Sequence, residues 1–301
     1  MEWERAKNYI LVFFVLLNLG LGILWFMEYE RYTMSAEQER IIHAILGRNN
    51  ISMYTRPMRR SPPMNPLNVS GFYYNVDALL EIFFENPIQI TRTEDRYEYK
   101  EDEEREDDED PNTLVISNGF IFYNNTSPYG FRNSGQVFFL ENMSITRHIA
   151  TALTDTFIEN YFPDFVQDSV FYTDGEVSGV RVIYRQAYRG RLVHSNFIEL
   201  LVTAQGIRQI EMQFGKILGH GGTSRMIFAP DEALLTFVQR IHHLAQEEPI
   251  VITHMDLVYF TEYFGSVQQG TINSAEPFYR IFIQGSDRPF LINAYTNVII
   301  D

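Results

Sequence analysis

The longest hydrophobic stretch lies near the start of the chain: the nineteen residues from Tyr9 to Met27 carry no charge, and only Asn18 is strongly polar. That is about the length an α-helix needs to cross the hydrocarbon layer of a bilayer. The two tryptophans of the chain, Trp3 and Trp25, bracket the run. Twenty-two residues of helix rise roughly 33 Å, which would put both indoles at headgroup depth. Residues 9–27 are therefore expected to span a membrane, with residues 1–8 as a short tail.

Beyond the span the periodicity changes repeatedly. Ser35-Ala36-Glu37-Gln38, followed by Ile41, Ile42, Ile45 and Leu46, predicts a helix with a Ser N-cap that stops near Gly47. Residues 56–66 hold four prolines and three arginines and read as an extended connector. A helix over 145–161 is predicted from apolar residues at 145, 149, 153, 157 and 161. Strands are then expected at 169–173, 179–188, 191–203 and 207–214, with turns at Asp174-Gly175, Arg189-Gly190 and Gln205-Gly206. Pro230-Asp231-Glu232 opens a further helix to about Ala245, and strands at 249–260, 277–284, 288–294 and 297–300 follow.

Two stretches echo each other. Tyr184-Arg185 with Gly190 and Tyr279-Arg280 with Gly285 lie at a common offset of 95, each after a helix and before a strand–turn–strand. Asp77-Ala78-Leu79-Leu80 similarly echoes Glu232-Ala233-Leu234-Leu235. The pattern predicts an α+β fold of repeated helix-plus-antiparallel-sheet units. The expected divisions are a stalk and connector over 28–70, a first unit over 71–140, a second over 141–220 and a third over 221–301.

Composition narrows the function classes. With no cysteine, disulfides, thiolate metal sites and cysteine nucleophiles are excluded. The net charge of −15 argues against a nucleic-acid partner. Most of that charge sits in residues 94–110, where twelve Asp or Glu face Arg96, Lys100 and Arg105. The run lacks the spaced acidic loop and glycine of a calcium site, so it reads as a solvated insertion between strand-like pieces at 88–90 and 114–116.

Signatures of catalysis are missing: the chain has no nucleophile elbow, zinc-protease helix, P-loop or dinucleotide fingerprint. Residues 218–224 read as a Gly-rich loop between a strand and a helix, ordinarily a flexible linker; its His220 could move a proton, but no nucleophile or orienting acid stands out beside it. His242 and His243 diverge on a helix and cannot easily share a metal. His254 and Asp256 share a strand face, where packing and solvent contacts are the ordinary use. No cofactor, metal or catalytic residue is expected.

Arg5 and Lys7 before the apolar run would also suit a signal peptide, yet no small-x-small cleavage site follows Trp25. An uncut anchor is the better reading. Arg31 and Arg40 balance Arg5 and Lys7, so the charge rule leaves orientation open, while the eight-residue tail suggests a domain outside the cell. Within the span, Asn18 and Gly22 lie one turn apart on one face. There a polar amide and a close-approach glycine would suit a second helix, unless Asn18 bonds its own backbone. Asn18, Gly22, Trp3 and Trp25 are the candidate interaction residues.

The start Met1-Glu2-Trp3 with basic residues and one span resembles the YycI (WalI) proteins of Gram-positive bacteria. So do the segment from Tyr184 to Gly190 and the ending Phe290-Leu291-Ile292-Asn293-Ala294-Tyr295-Thr296-Asn297-Val298-Ile299. The likeness runs along essentially the whole chain. Two departures are the acidic run and Asn297, which stands where a Gly is expected in the last hairpin. The resemblance implies a cytoplasmic N-terminus, a membrane helix, and an extracytoplasmic domain of units akin to YycH and PepSY domains. It also implies a non-enzymatic role in cell-wall metabolism, acting with a YycH-like partner on the sensor kinase of the WalK/WalR two-component system through membrane and outer-domain contacts. The alternative is an anchored extracytoplasmic chaperone or protease-inhibitor-like module that holds a peptide by strand addition.

Overall fold

A computed structural model describes residues 2–72, 75–84, 86–93, 96–101, 112–117, 119–126, 145–174, 178–262 and 272–300. The fold is α+β, with five helices and a large mixed sheet among these residues. In chain order the elements are α1 (Glu2–Arg31), α2 (Ala36–Arg48), β1 (Ile51–Met53), β2 (Leu67–Phe72), α3 (Val76–Phe83), β3 (Pro87–Arg92) and β4 (Arg96–Glu101). Then come β5 (Thr113–Ser117), β6 (Phe120–Asn124), α4 (Arg147–Tyr161), β7 (Phe165–Asp174), β8 (Ser178–Tyr188), β9 (Arg191–Thr203), β10 (Gly206–Gln213) and β11 (Gly215–His220). The chain closes with α5 (Pro230–Glu247), β12 (Ile250–Phe260), β13 (Ile272–Ile283), β14 (Phe290–Asn293) and β15 (Ile299–Ile300).

The chain divides into two compact units. The first comprises Met1–Met64, Ser224–Asp256 and Phe278–Asp301, and the second Asn65–Thr223 and Leu257–Pro277. Strands β12 and β13 contribute residues to both.

In the first unit, α1 is long and apolar enough to cross a membrane: Lys7–Met27 has a mean hydropathy of 2.5 and none of it is buried. The capping box expected at Ser35 is present, with the Ser35 hydroxyl accepting from the Gln38 amide and Gln38 Oε1 accepting from Ser35 N–H. Pro230 takes the first position of α5, where its missing N–H costs nothing. Ile42 and Leu46 of α2, Ala233, Leu234, Phe237 and Ile241 of α5, and Ile252, Tyr279, Ile281 and Ile292 of the strands are buried. Beneath them β1 runs parallel to β12, and β13, β14 and β15 form an antiparallel ribbon. Asn297 adopts the left-handed conformation at φ 56°, so the Asn-for-Gly departure is accommodated.

In the second unit, β3-β4-β5-β6-β10-β9-β8-β7 pair antiparallel throughout. One face of this run carries Leu114, Ile116, Ile121, Tyr123, Val180, Val182, Tyr184, Ile198, Leu200, Ile210 and Met212, alternating as a half-buried sheet requires. Helices α3 and α4 cover that face. The buried positions of α4 are Ala150, Leu153, Thr154, Phe157 and Ile158, not the full i+4 series read from the sequence. Each step of four advances the helix by about 400°, so a pure i+4 row drifts off the contact line while the i, i+3, i+4, i+7 set stays on it. A second arm, β11-β2-β13-β12, joins β9 where Tyr259 pairs with Val193.

Three expectations are corrected. Residues 67–70, expected in the stalk and connector, belong to β2. The acidic run is not wholly an inserted loop, because 96–101 is a strand between β3 and β5. Tyr97 and Tyr99 fall at alternate positions there, and Tyr99 is buried, which gives the segment a core face despite its acids. Residues 215–220 form β11, so His220 ends a strand and does not lie in a loop. The turn at Asp174-Gly175 extends beyond the described residues.

Candidate functional site

On α1, Val15, Asn18, Leu19, Gly22, Ile23 and Phe26 line a shallow apolar concavity. A helix turns 100° per residue, so positions 15, 18, 19, 22, 23 and 26 fall along one stripe. Asn18 Nδ2 donates to Phe14 O at 2.8 Å, one turn back. The carboxamide is thus partly satisfied within its own helix, and its oxygen has no partner among the described residues. A Cβ added at Gly20 or Gly22 would meet nothing within 4 Å. The stripe is therefore open to a neighbouring helix. Trp3 is 82% exposed and Trp25 65% exposed, at opposite ends of the apolar run.

The histidine candidates are scattered. His220 lies between two phenol rings, 5.4 Å from Tyr188 and 6.3 Å from Tyr259, and no hydrogen bond or ion pair joins it to a nucleophile or carboxylate among the described residues. His242 Nδ1 is 2.9 Å from Asn49 Oδ1, just past the end of α2. The His243 side chain falls outside the described residues. His254 Nε2 stands 3.9 Å from Asp256 Oδ2, but the close partner of Asp256 is Arg280. Of the acidic run, Glu98 pairs with Arg96 and Glu101 accepts from Asn112; residues 94, 95 and 102–110 lie outside the described set. No group of three or more His, Asp or Glu able to hold a metal ion occurs among the described residues.

The buried polar groups form two matching constellations that motif reading did not single out as sites. In the second unit, Tyr184 donates to Asp155 of α4 at 2.6 Å and meets the Thr154 hydroxyl at 2.7 Å. Burial, and then the bond to the Asp155 carboxylate, push its phenol far above the ordinary range. The next residue, Arg185, faces the other way and donates to Asp168 at 2.8 Å and to the carbonyl of His194. Asp168 sits at a bulge in β7 and His194 at a register break in β9, so one guanidinium links two irregularities of the sheet. In the first unit, Tyr279 donates to Phe228 O, just ahead of α5, at 2.7 Å, and Arg280 pairs with Asp256. The signal for these sites was the Tyr-Arg doublet repeated at an offset of 95. Without strand neighbours, it could not name the two Asp partners.

No protein-family model and no curated protein matches this chain. Its fold is similar to the crystal structure of an uncharacterized protein from Eubacterium rectale, with a TM-score of 0.53 at 9% identity over 84% of this chain and 91% of that one. At that identity the likeness concerns the fold alone.

Proposed function

We propose that this chain is a single-pass, membrane-anchored regulator without catalytic activity. In this reading its N-terminus is cytoplasmic, its α+β part extracytoplasmic, and its target a sensor histidine kinase of the WalK type, with a YycH-like protein as companion. The observation that carries the reading is α1: an apolar helix with no buried residue in its span and an open Asn18–Gly22 stripe. A helix with this surface needs lipid or other helices around it, and small and polar residues on one face favour the latter. The resemblance of the start, middle and end of the chain to YycI proteins supplies the partner. The recurrence of a helix-facing Tyr followed by an Asp-paired Arg supports repeated units of the YycH and PepSY type. The outer part, by changing how α1 packs, biases the kinase between two conformations.

Replacing both Asn18 and Gly22 by Leu tests this in a membrane two-hybrid assay against a WalK-type kinase. Reduced association is expected, and unchanged association removes this face from the reading. A second reading, peptide capture by strand addition, is favoured by β3, which ends the strand order with Ile88 and Ile90 exposed and no strand beyond it among the described residues. Pull-down of an extracytoplasmic protease in place of a kinase would select it.

A further inference from the structure

Strand ends of the second unit bring together two phenols, an imidazole and two guanidiniums. Tyr188 pairs with Arg191 across β8 and β9, and Tyr259 pairs with Val193 two residues along, so Tyr188, Arg191 and Tyr259 share one face of the sheet. The His220 ring, from β11, lies between the two phenols. Arg189 and Gly190 both take positive φ, 49° and 78°, forming the tight hairpin that returns Arg189 over the Tyr188 ring at 5.4 Å.

Two features set this cluster apart. In a chain of net charge −15, neither Arg189 nor Arg191 has an ion pair with a carboxylate among the described residues. Tyr259 is 2% exposed, yet its hydroxyl has no hydrogen-bond partner among them, whereas the hydroxyl of Tyr184 has two and that of Tyr279 has one. The hydroxyl is not fully enclosed, so the small exposed part of Tyr259 includes the O–H, which can donate to a group arriving from outside. Burial raises the Tyr259 pKa, so the phenol keeps its proton at neutral pH and has an O–H to donate. Arg191 and Arg189 pull the other way, while Tyr188 adds to the rise.

We propose that Tyr188, Arg189, Arg191, His220 and Tyr259 form a binding site for a tetrahedral oxyanion, a phosphate group either free or esterified. Donors arrive from four strands and a hairpin turn, hence from several directions. A phosphate presents three or four oxygens to them and matches the guanidinium fork, while a planar carboxylate can use fewer.

Titration calorimetry on the full chain in detergent micelles tests the site with inorganic phosphate, glycerophosphoglycerol and acetate. Saturable binding of phosphate or of the diester, tighter than acetate, is expected; which of the two binds better tells the free from the esterified source. Tyr259→Phe keeps the ring in the core, so its thermal midpoint should stay near that of the parent while affinity falls roughly tenfold, about the loss of one good hydrogen bond. Arg191→Gln should weaken binding as well. Absence of saturable binding by both phosphates, acetate binding as tightly as phosphate, or full affinity in Tyr259→Phe overturns the proposal.

Discussion

Arg280 sets both arms of its guanidinium on the carboxylate of Asp256, Nε to Oδ1 at 2.9 Å and Nη2 to Oδ2 at 2.6 Å, although the arginine side chain is only 1% exposed. The Asp256 side chain is 26% exposed, so the two partners differ in their access to water. Asp256→Ala removes the carboxylate from a buried cation and should cost about 3–5 kcal/mol. Arg280→Met retains the packing over Phe282 and leaves an aspartate that water can reach, so its cost should be smaller. Denaturant midpoints of the two variants check the asymmetry; equal losses would mean that burial of the arginine does not decide the energetics.

Tyr184 ties β8 to α4 through Asp155 and Thr154. Tyr184→Phe keeps the ring in the core and deletes both bonds, so stability should fall by about 1–3 kcal/mol, toward the upper end because one acceptor is charged. Thr154→Val in the Phe background should then add little, since the two groups act on the same hydroxyl. A double-mutant cycle measured by thermal unfolding reads this coupling.

Glu211 stands directly opposite Glu199 in the β9–β10 ladder, and the Glu199 carboxylate is paired with Arg181. Burial first, then the Glu199 charge, raises the Glu211 pKa against the opposing pull of Arg181. A carboxyl whose folded pKa is raised favours the fold while protonated, and that contribution is lost as pH rises through the folded value. Glu211→Gln should therefore stabilise the protein at pH 7, with the gain fading as pH falls to the ordinary carboxylate value. Unfolding midpoints of variant and parent across that interval give the test; a gain independent of pH would contradict it.

Gly179 in β8 lies against the neighbouring strand so closely that a Cβ would sit 2.5 Å from the backbone oxygen of Val202. A ladder carbonyl cannot swing aside as a side-chain end can. Gly179→Ala should cost about 1–3 kcal/mol through strand displacement. Gly190→Ala meets no atom within 4 Å but must hold a φ of 78°, so its loss should come from backbone strain alone, about 1–2 kcal/mol. Amide exchange separates the two, since only the first should loosen the β8–β9 ladder.

Much of the local structure was legible in the residues themselves, because the forces that set it act over three or four positions. The apolar run of α1, the capping box at Ser35, Pro230 at the start of α5 and the Arg189-Gly190 turn each carry their own geometry, and all lie where the pattern put them. Strand pairing was different. Residues 96–101 looked like part of a charged loop and 218–220 like the start of a Gly-rich linker, since neither has a hydrophobic pattern strong enough to mark a strand. Both become strands through neighbours distant in sequence: β4 between β3 and β5, and β11 against β2. The same holds for chemistry. The Tyr-Arg doublets were visible as a repeat, but Asp168 and Asp256 became their partners only through pairing and bulges, and the unpartnered hydroxyl of Tyr259 exists only once β12 is placed on β9. Burial and long-range register are properties of the assembled chain, and they decide which polar groups are satisfied and which still need an acceptor.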